Sequence, residues 1–319
     1  REACAIEGLV EIEVAAQGYL ANLEKLDRFV AKFVVSEGGA KSWQDAIVNG
    51  PTEDSVQAQC RWVVDRDNEV YVLDRNIDAE KESLRATAGL NGSPAVGVRL
   101  PPQMLIKTRD YCLNVSGMLG GGSLSGGGTN DKWPAVTPLD LAGMMGPGGQ
   151  LNPGTIVLRL RENPKTKDSL SLGATNESPR ITRVIATLPD GRYYSCDVDK
   201  TRGFLCVDMS AGVRDEDATR RAVVLESAEP LSGVWFPTKV LYAMRLKATW
   251  DSNVYCTLVD VTELRTEQDA ISEGLFRFQG KLVCMMERIR IHRSIFPKGG
   301  SCEEKILLRL RQSLTHKPR

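Results

Sequence analysis

The chain has 319 residues, 42% of them apolar and 26% charged, and its 41 basic residues are matched by 41 acidic ones. That is an ordinary soluble balance, and a net charge of zero gives a nucleic-acid role no overall electrostatic support. No apolar run approaches the roughly 20 residues of a membrane-spanning helix, and the length allows one large core or two modest domains. A start at Arg1 rather than methionine is compatible with a removed signal peptide or with a boundary of another kind.

Residues 2–27 are expected to form a helix. Ile6, Leu9, Val10, Val14, Leu20, Leu23 and Leu26 fall at helical spacing, with Gly8 and Gly18 weakening the pattern. Arg28–Ser36 alternates as a strand that Gly38-Gly39 is expected to end. Residues 59–64 and 69–74 suggest a hairpin around Asp65-Arg66-Asp67-Asn68, and 104–106 and 110–116 are short strand candidates. Gly117 to Gly128 holds seven glycines in twelve residues, which suits a linker or surface loop. Pro138-Leu139-Asp140-Leu141 is an anchor for such a loop, and 155–160 resumes a strand pattern.

From Arg180 to about Val240 short strands and turns alternate as an antiparallel meander. Pro189-Asp190-Gly191 suits a type I turn closed by a left-handed glycine, placing Ala186 opposite Tyr194 and Val184 opposite Cys196. A second loop of Lys200-Thr201-Arg202 would set Asp199 opposite Gly203 and Cys196 directly opposite Cys206. In that register Val184, Ala186, Tyr194, Cys196, Val198, Phe204 and Cys206 share one face, and Asp197 points away from Asp208. A cross-strand disulfide between Cys196 and Cys206 and a pair of reduced, buried thiols both remain open. Residues 220–228 and 234–248 read as strands joined by Glu229–Gly233, and 253–262 as another. Residues 263–273 form a short polar helix candidate, 281–296 are strand or helix, and the tail holds a candidate docking helix around Ile306 to Leu310.

Catalytic and metal signatures are thin. Eight cysteines include no Cys-x-x-Cys pair, and the two histidines, His292 and His316, both lie near the C-terminus, so no metal site and no cofactor are expected. Glu37-Gly-Gly-Ala-Lys-Ser42 lacks the Gly-Lys-Ser/Thr ending of a phosphate loop. Asp65 to Glu69 lacks the glycine and distant glutamate of a calcium loop, and turn chemistry explains it. No Gly-x-Ser-x-Gly elbow occurs near either histidine, so an enzyme is not expected. Arg277, Lys281, Arg288, Arg290 and Arg293 are local basic candidates with a solvent-facing explanation.

The order of helix, strand and meander, followed by Gly233-Val234-Trp235-Phe236-Pro237-Thr238, resembles the lipoprotein carriers of bacterial envelopes, including the outer-membrane lipoprotein-sorting proteins. Asp190-Gly191-Arg192-Tyr193-Tyr194, Thr201-Arg202-Gly203-Phe204 and Asp260 to Leu264 also look like that family. The glycine-rich stretch and the basic end depart from its compact pattern. The resemblance implies an exported protein of the periplasm or cell envelope, binding a lipid or an acylated protein without catalysis. Tyr194, Phe204, Trp235 and Phe236 are then the expected walls of the ligand site, though all four also suit a sheet core.

The expected fold is therefore mainly β with an N-terminal helix, as a curved antiparallel sheet or incomplete barrel. Its expected organisation is 1–116 for the helix and first strands, 117–154 for a glycine-rich insertion or linker, 155–280 for the rest of the sheet, and 281–319 for a C-terminal extension. The alternative function is a structural or interaction subunit, a homo-oligomer or larger assembly, whose glycine-rich and C-terminal arms are ordered by neighbouring chains.

Overall fold

The computed structural model describes residues 2–65, 68–74, 103–107, 111–116, 121–126, 137–141, 145–146, 149–150, 171–213, 218–245 and 250–266. The chain divides into two compact units, Arg1–Cys60 with Pro134–Thr266, and Arg61–Trp133 with Glu267–Arg319.

The first unit begins with helix α1, Glu2–Glu24, rich in alanine, leucine and glutamate. It is as long as its sequence suggests, but the buried face differs from the expected stripe. Ile12, Ala15, Ala16, Tyr19 and Asn22 are buried, whereas Val10 and Val14 are 56% and 48% exposed. Small residues explain the choice, because alanine and glycine let the helix approach the sheet more closely than a valine stripe would.

Strand β1, Arg28–Ala40, follows at once. Gly38 and Gly39 do not end it; they pair with Cys256 and Tyr255 of β15, Val254–Arg265. A Cβ on Gly38 would lie 2.6 Å from the Glu53 carbonyl oxygen, so the glycine permits close approach of the neighbouring strand. Ser42 then caps helix α2, Trp43–Asn49, with its Oγ accepting from the Asp45 amide at 3.1 Å. The phosphate-loop-like segment is thus the end of a strand and a helix cap.

The sheet of this unit is antiparallel, open and nine-stranded. Its order is β2 (Glu53–Asp65, through residue 60), β1, β15, β14 (Val234–Arg245), β13 (Arg220–Leu231), β12 (Leu205–Val213), β11 (Arg192–Asp199), β10 (Ile181–Thr187) and β9 (Ser171–Asn176). Each hairpin from β9 to β14 joins sequence neighbours, so the meander expected from the alternation is present. The β10–β11 turn closes as anticipated: Gly191 has φ 82°, the Leu188 amide donates to the Arg192 carbonyl, and Ala186 and Val184 pair with Tyr194 and Cys196.

The β11–β12 connection differs. Gly203 and Phe204 both have positive φ, 59° and 58°, which lengthens the loop and sets Asp199 opposite Leu205. A bulge between Asp197 and Val198 then shifts the register further. Cys206 consequently pairs with Val198 and Cys196 with Met209, not with each other. Asp197 pairs directly with Asp208 rather than facing away from it. A loop containing two left-handed residues is hard to read from sequence when one of them is phenylalanine.

Helices cover both faces of the sheet. α1 lies on the face formed by Val184, Ala186, Tyr194, Cys196, Val198, Cys206, Met209, Ala211, Ala222, Val224 and Val240. On the other side Trp43, Ala46 and Ile47 of α2 pack with Leu241, Ala243, Val254 and Cys256. A single-turn helix, α3 (Pro138–Leu141), packs against β14. β15 continues to Arg265, so the first residues of the expected polar helix at 263–273 are strand, and the rest lie outside the described residues.

In the second unit residues 61–65 of β2 and strands β3 (Asn68–Asp74), β4 (Gln103–Lys107), β5 (Tyr111–Ser116) and β6 (Gly121–Gly126) follow in order. β6 draws on the glycine-rich run, pairing Ser116 with Gly121 and Tyr111 with Gly126. In the first unit, the two-residue strands β7 (Met145–Gly146) and β8 (Gly149–Gln150) make a separate ladder. The expected strand at 155–160, the basic residues from Arg277 to Arg293, both histidines and the C-terminal extension lie outside the described residues.

Candidate functional site

Of the four residues expected to hold a ligand, Tyr194 and Phe204 belong to the apolar cluster between α1 and the sheet, which does not include Trp235 and Phe236. Tyr194 is 8% exposed and stands in the same apolar cluster as Ile12, Ala15 and Ala16. Burial pushes its phenol above the ordinary value. Phe204 is half-buried against that cluster, and its ring occupies the space where a side chain on Gly18 would be, 2.2 Å from an added Cβ. Phe236 is fully buried and meets Phe29 edge-to-face at 5.4 Å. Trp235 is half-buried, with the Arg202 guanidinium 5.8 Å from its ring centre.

One polar residue of α1 pairs with Trp235. The Asn22 side-chain amide donates to the Trp235 carbonyl at 2.8 Å, and its Oδ1 accepts from the Trp235 amide at 2.7 Å. Asn22 thus pairs with one residue of β14 much as a neighbouring strand would. Nearer the middle of the helix, Glu11 accepts from Asn176 of β9. The signal for Asn22 was its spacing from Ile12, Ala15 and Tyr19, which places it on the face that proves buried.

Beside Trp235 the β11–β12 loop is organised by Asp199, whose side chain is 1% exposed. It accepts from Arg180 Nε at 2.8 Å, from the Thr201 amide at 3.0 Å and from the Thr201 hydroxyl at 2.7 Å. Burial alone would push this carboxyl up, but the Arg180 and Thr201 hydrogen bonds outweigh it and hold the carboxyl below its ordinary 3.8.

The opposite face carries a polar row across four strands. Arg183 donates to both oxygens of Asp197 at 2.7 Å; Asp197 faces Asp208; Arg221 lies 3.6 Å from Asp208 and stacks over Trp43 at 4.7 Å. Ser195 and Ser210 hydrogen-bond at 2.7 Å in the same row, and Trp43 meets Trp250 edge-to-face at 5.4 Å. Burial raises the Asp208 carboxyl, and the neighbouring Asp197 adds to that rise against the opposing effect of Arg221. Two facing carboxylates, each paired with an arginine, form a structural ion-pair row; no third metal-binding side chain joins them among the described residues.

Cys196 and Cys206 lie in the same apolar layer under α1, 4% and 0% exposed, and the Cys196 thiol acts on that of Cys206. That interaction, and after it burial, drives the Cys206 thiol well above its ordinary value. No helix among the described residues is long and apolar enough to cross a membrane.

No family model and no curated protein matches the chain. Among solved structures, it is similar to a putative outer membrane lipoprotein-sorting protein domain from Vibrio parahaemolyticus, at 10% identity and a TM-score of 0.45 over 86% of this chain and 97% of that one. A DUF1329 family protein from Desulfovibrio piger gives 10% identity and a TM-score of 0.43 over 83% and 97%. The Pseudomonas aeruginosa MucA/MucB complex gives 11% identity and a TM-score of 0.23 over 79% and 99%.

Proposed function

We propose that the protein is a non-enzymatic carrier of the cell envelope that takes up a lipid acyl chain, or the acyl group of a modified protein, between α1 and the sheet. The observation that carries this reading is how α1 is seated. It meets an apolar face largely through Ala15, Ala16 and Gly18, with Ile12 and Tyr19, and the Asn22–Trp235 pair anchors its C-terminal half. A helix seated through small residues gives up little apolar area when it tilts, and each methylene that replaces it contributes roughly 0.8 kcal/mol. Tyr194 and Phe204 would line the opened layer, Trp235 its rim, and Phe236 its floor. Export to the periplasm follows from the same reading.

The test is saturation binding of a naturally fluorescent fatty acid, together with mass spectrometry of organic extracts of the purified protein. Saturable binding displaced by unlabelled fatty acid, or a stoichiometric co-extracted lipid, supports the carrier. A folded protein giving neither overturns it.

A second reading rests on Val10 and Val14, which present apolar side chains to solvent one helical turn apart. They favour a contact between α1 and another protein, as in a homo-oligomer or a larger assembly. Light scattering coupled to size exclusion tests it, and a monomer at high concentration that shows no partner on envelope cross-linking refutes it.

A further inference from the structure

We infer that Cys196 and Cys206 can close a structural disulfide during folding, one that staples β11 to β12 beneath α1. Three observations converge on it. Both thiols point to the same face of adjacent antiparallel strands, in a single apolar cluster. They occupy diagonal positions across the strand pair, Cys196 opposite Met209 and Cys206 opposite Val198. The bulge between Asp197 and Val198 lies between their register positions, and a bulge is a place where the ladder can adjust without disturbing the pairs on either side. Another buried cysteine of this unit, Cys256, lies on the opposite face of the sheet with Trp43 and Trp250, away from the pair.

The chemistry is thiol–disulfide exchange with an external disulfide such as oxidised glutathione. The Cys196 thiolate attacks one sulfur of the external disulfide and expels a thiolate, giving a mixed disulfide. The Cys206 thiolate then attacks the Cys196 sulfur and expels the second external thiolate. The pair loses two electrons and two protons, and the external disulfide becomes two thiols. Burial and the raised Cys206 thiol make exchange slow in the folded protein, so the bond should close mainly during folding, before α1 docks. The inference stands on this geometry and is independent of lipid carriage.

The experiment is refolding of the reduced, denatured chain across a series of glutathione redox buffers, followed by alkylation and tryptic mapping. Cleavage after Arg192, Lys200, Arg202 and Arg214 puts each cysteine in its own peptide, Tyr193–Lys200 and Gly203–Arg214. The expected result is a disulfide-linked pair of these two peptides in oxidising buffers, lost on reduction, and a higher thermal midpoint for the oxidised protein. Recovery of both peptides alkylated and unlinked, in buffers that oxidise a solvent-exposed control dithiol, overturns the inference; so does either peptide linked only to another cysteine. Cys196→Ala offers an independent reading: the refolded variant should leave Cys206 alkylated in every buffer, and a new partner for Cys206 would count against a specific pair.

Discussion

Replacing Asn22 with alanine removes both hydrogen bonds between α1 and Trp235 without touching the apolar contacts of Ile12, Ala15 or Tyr19. Asn22 is 3% exposed, so water cannot take its place without opening the layer. Each lost hydrogen bond is worth about 0.5–1.5 kcal/mol net, and each stranded backbone group adds a desolvation penalty, so the expected loss is about 2–4 kcal/mol. The assay is urea denaturation at neutral pH, with the midpoint falling at unchanged slope. Amide exchange should accelerate in the second half of α1 more than in β10 or β11. Asn22→Asp keeps the acceptor for the Trp235 amide but sets a carboxylate oxygen against the Trp235 carbonyl, and it should lie at least as low as the alanine variant. If Asn22→Ala shifts stability by less than about 0.5 kcal/mol, the view of this residue as the anchor of α1 is wrong. On the carrier reading, the same variant should bind a fatty-acid probe faster than the parent, because the helix tilts more readily.

Gly18→Ala should destabilise by about 1–3 kcal/mol despite alanine's better helix propensity, because its Cβ meets the Phe204 ring at 2.2 Å; a gain in thermal midpoint would refute the close packing. Asp199 has a lowered carboxyl, so its contribution to stability is full above the ordinary 3.8 and is lost as pH falls through the depressed native value. Asp199→Asn should therefore cost stability at pH 7 and flatten the acid limb of the stability–pH curve, and an unchanged acid limb would contradict the Arg180–Asp199–Thr201 arrangement. Asp208 has the opposite sign. Its raised carboxyl takes stability away as pH rises from the unfolded to the folded value, so Asp208→Asn should raise the denaturation midpoint at neutral pH and lose that advantage in acid.

Strand alternation carried most of the fold. Tyr194, Cys196 and Val198 alternate with Ser195, Asp197 and Asp199, Val184 and Ala186 lie two apart on the partner strand, and Pro189-Asp190-Gly191 dictates its own turn, so the β10–β11 hairpin follows from local chemistry. The next hairpin was not legible, because it depends on Phe204 adopting a left-handed backbone beneath Gly18, and only the docked helix accounts for that. The same long-range contact decides which face of α1 is buried: the valines suggested one side, and the alanines and glycine that fit the sheet occupy another. Gly38-Gly39 looked like an ending because glycine usually breaks strands, whereas here the need is room for β2. Of the layer under α1, Tyr194 and Phe204 were legible from strand alternation. Asn22, which pairs with Trp235, was not read from the sequence, where only its spacing from Ile12, Ala15 and Tyr19 marks it.

The row Arg183, Asp197, Asp208, Arg221 bears on how the strands find one another. The layer under α1 is built mostly from valine, alanine and cysteine, with Tyr194 and Met209 the larger members, and a strand sliding by two residues would keep its apolar side chains on the correct face. The charged row does not tolerate that slide. Moved by two, Arg183 would face Ser195 in one direction, or Asp199 in the other, instead of Asp197, and the two facing carboxylates would lose one of the arginines that make their proximity tolerable. The polar side of the sheet thereby acts as a key for alignment, selecting one pairing among several that the apolar side would accept.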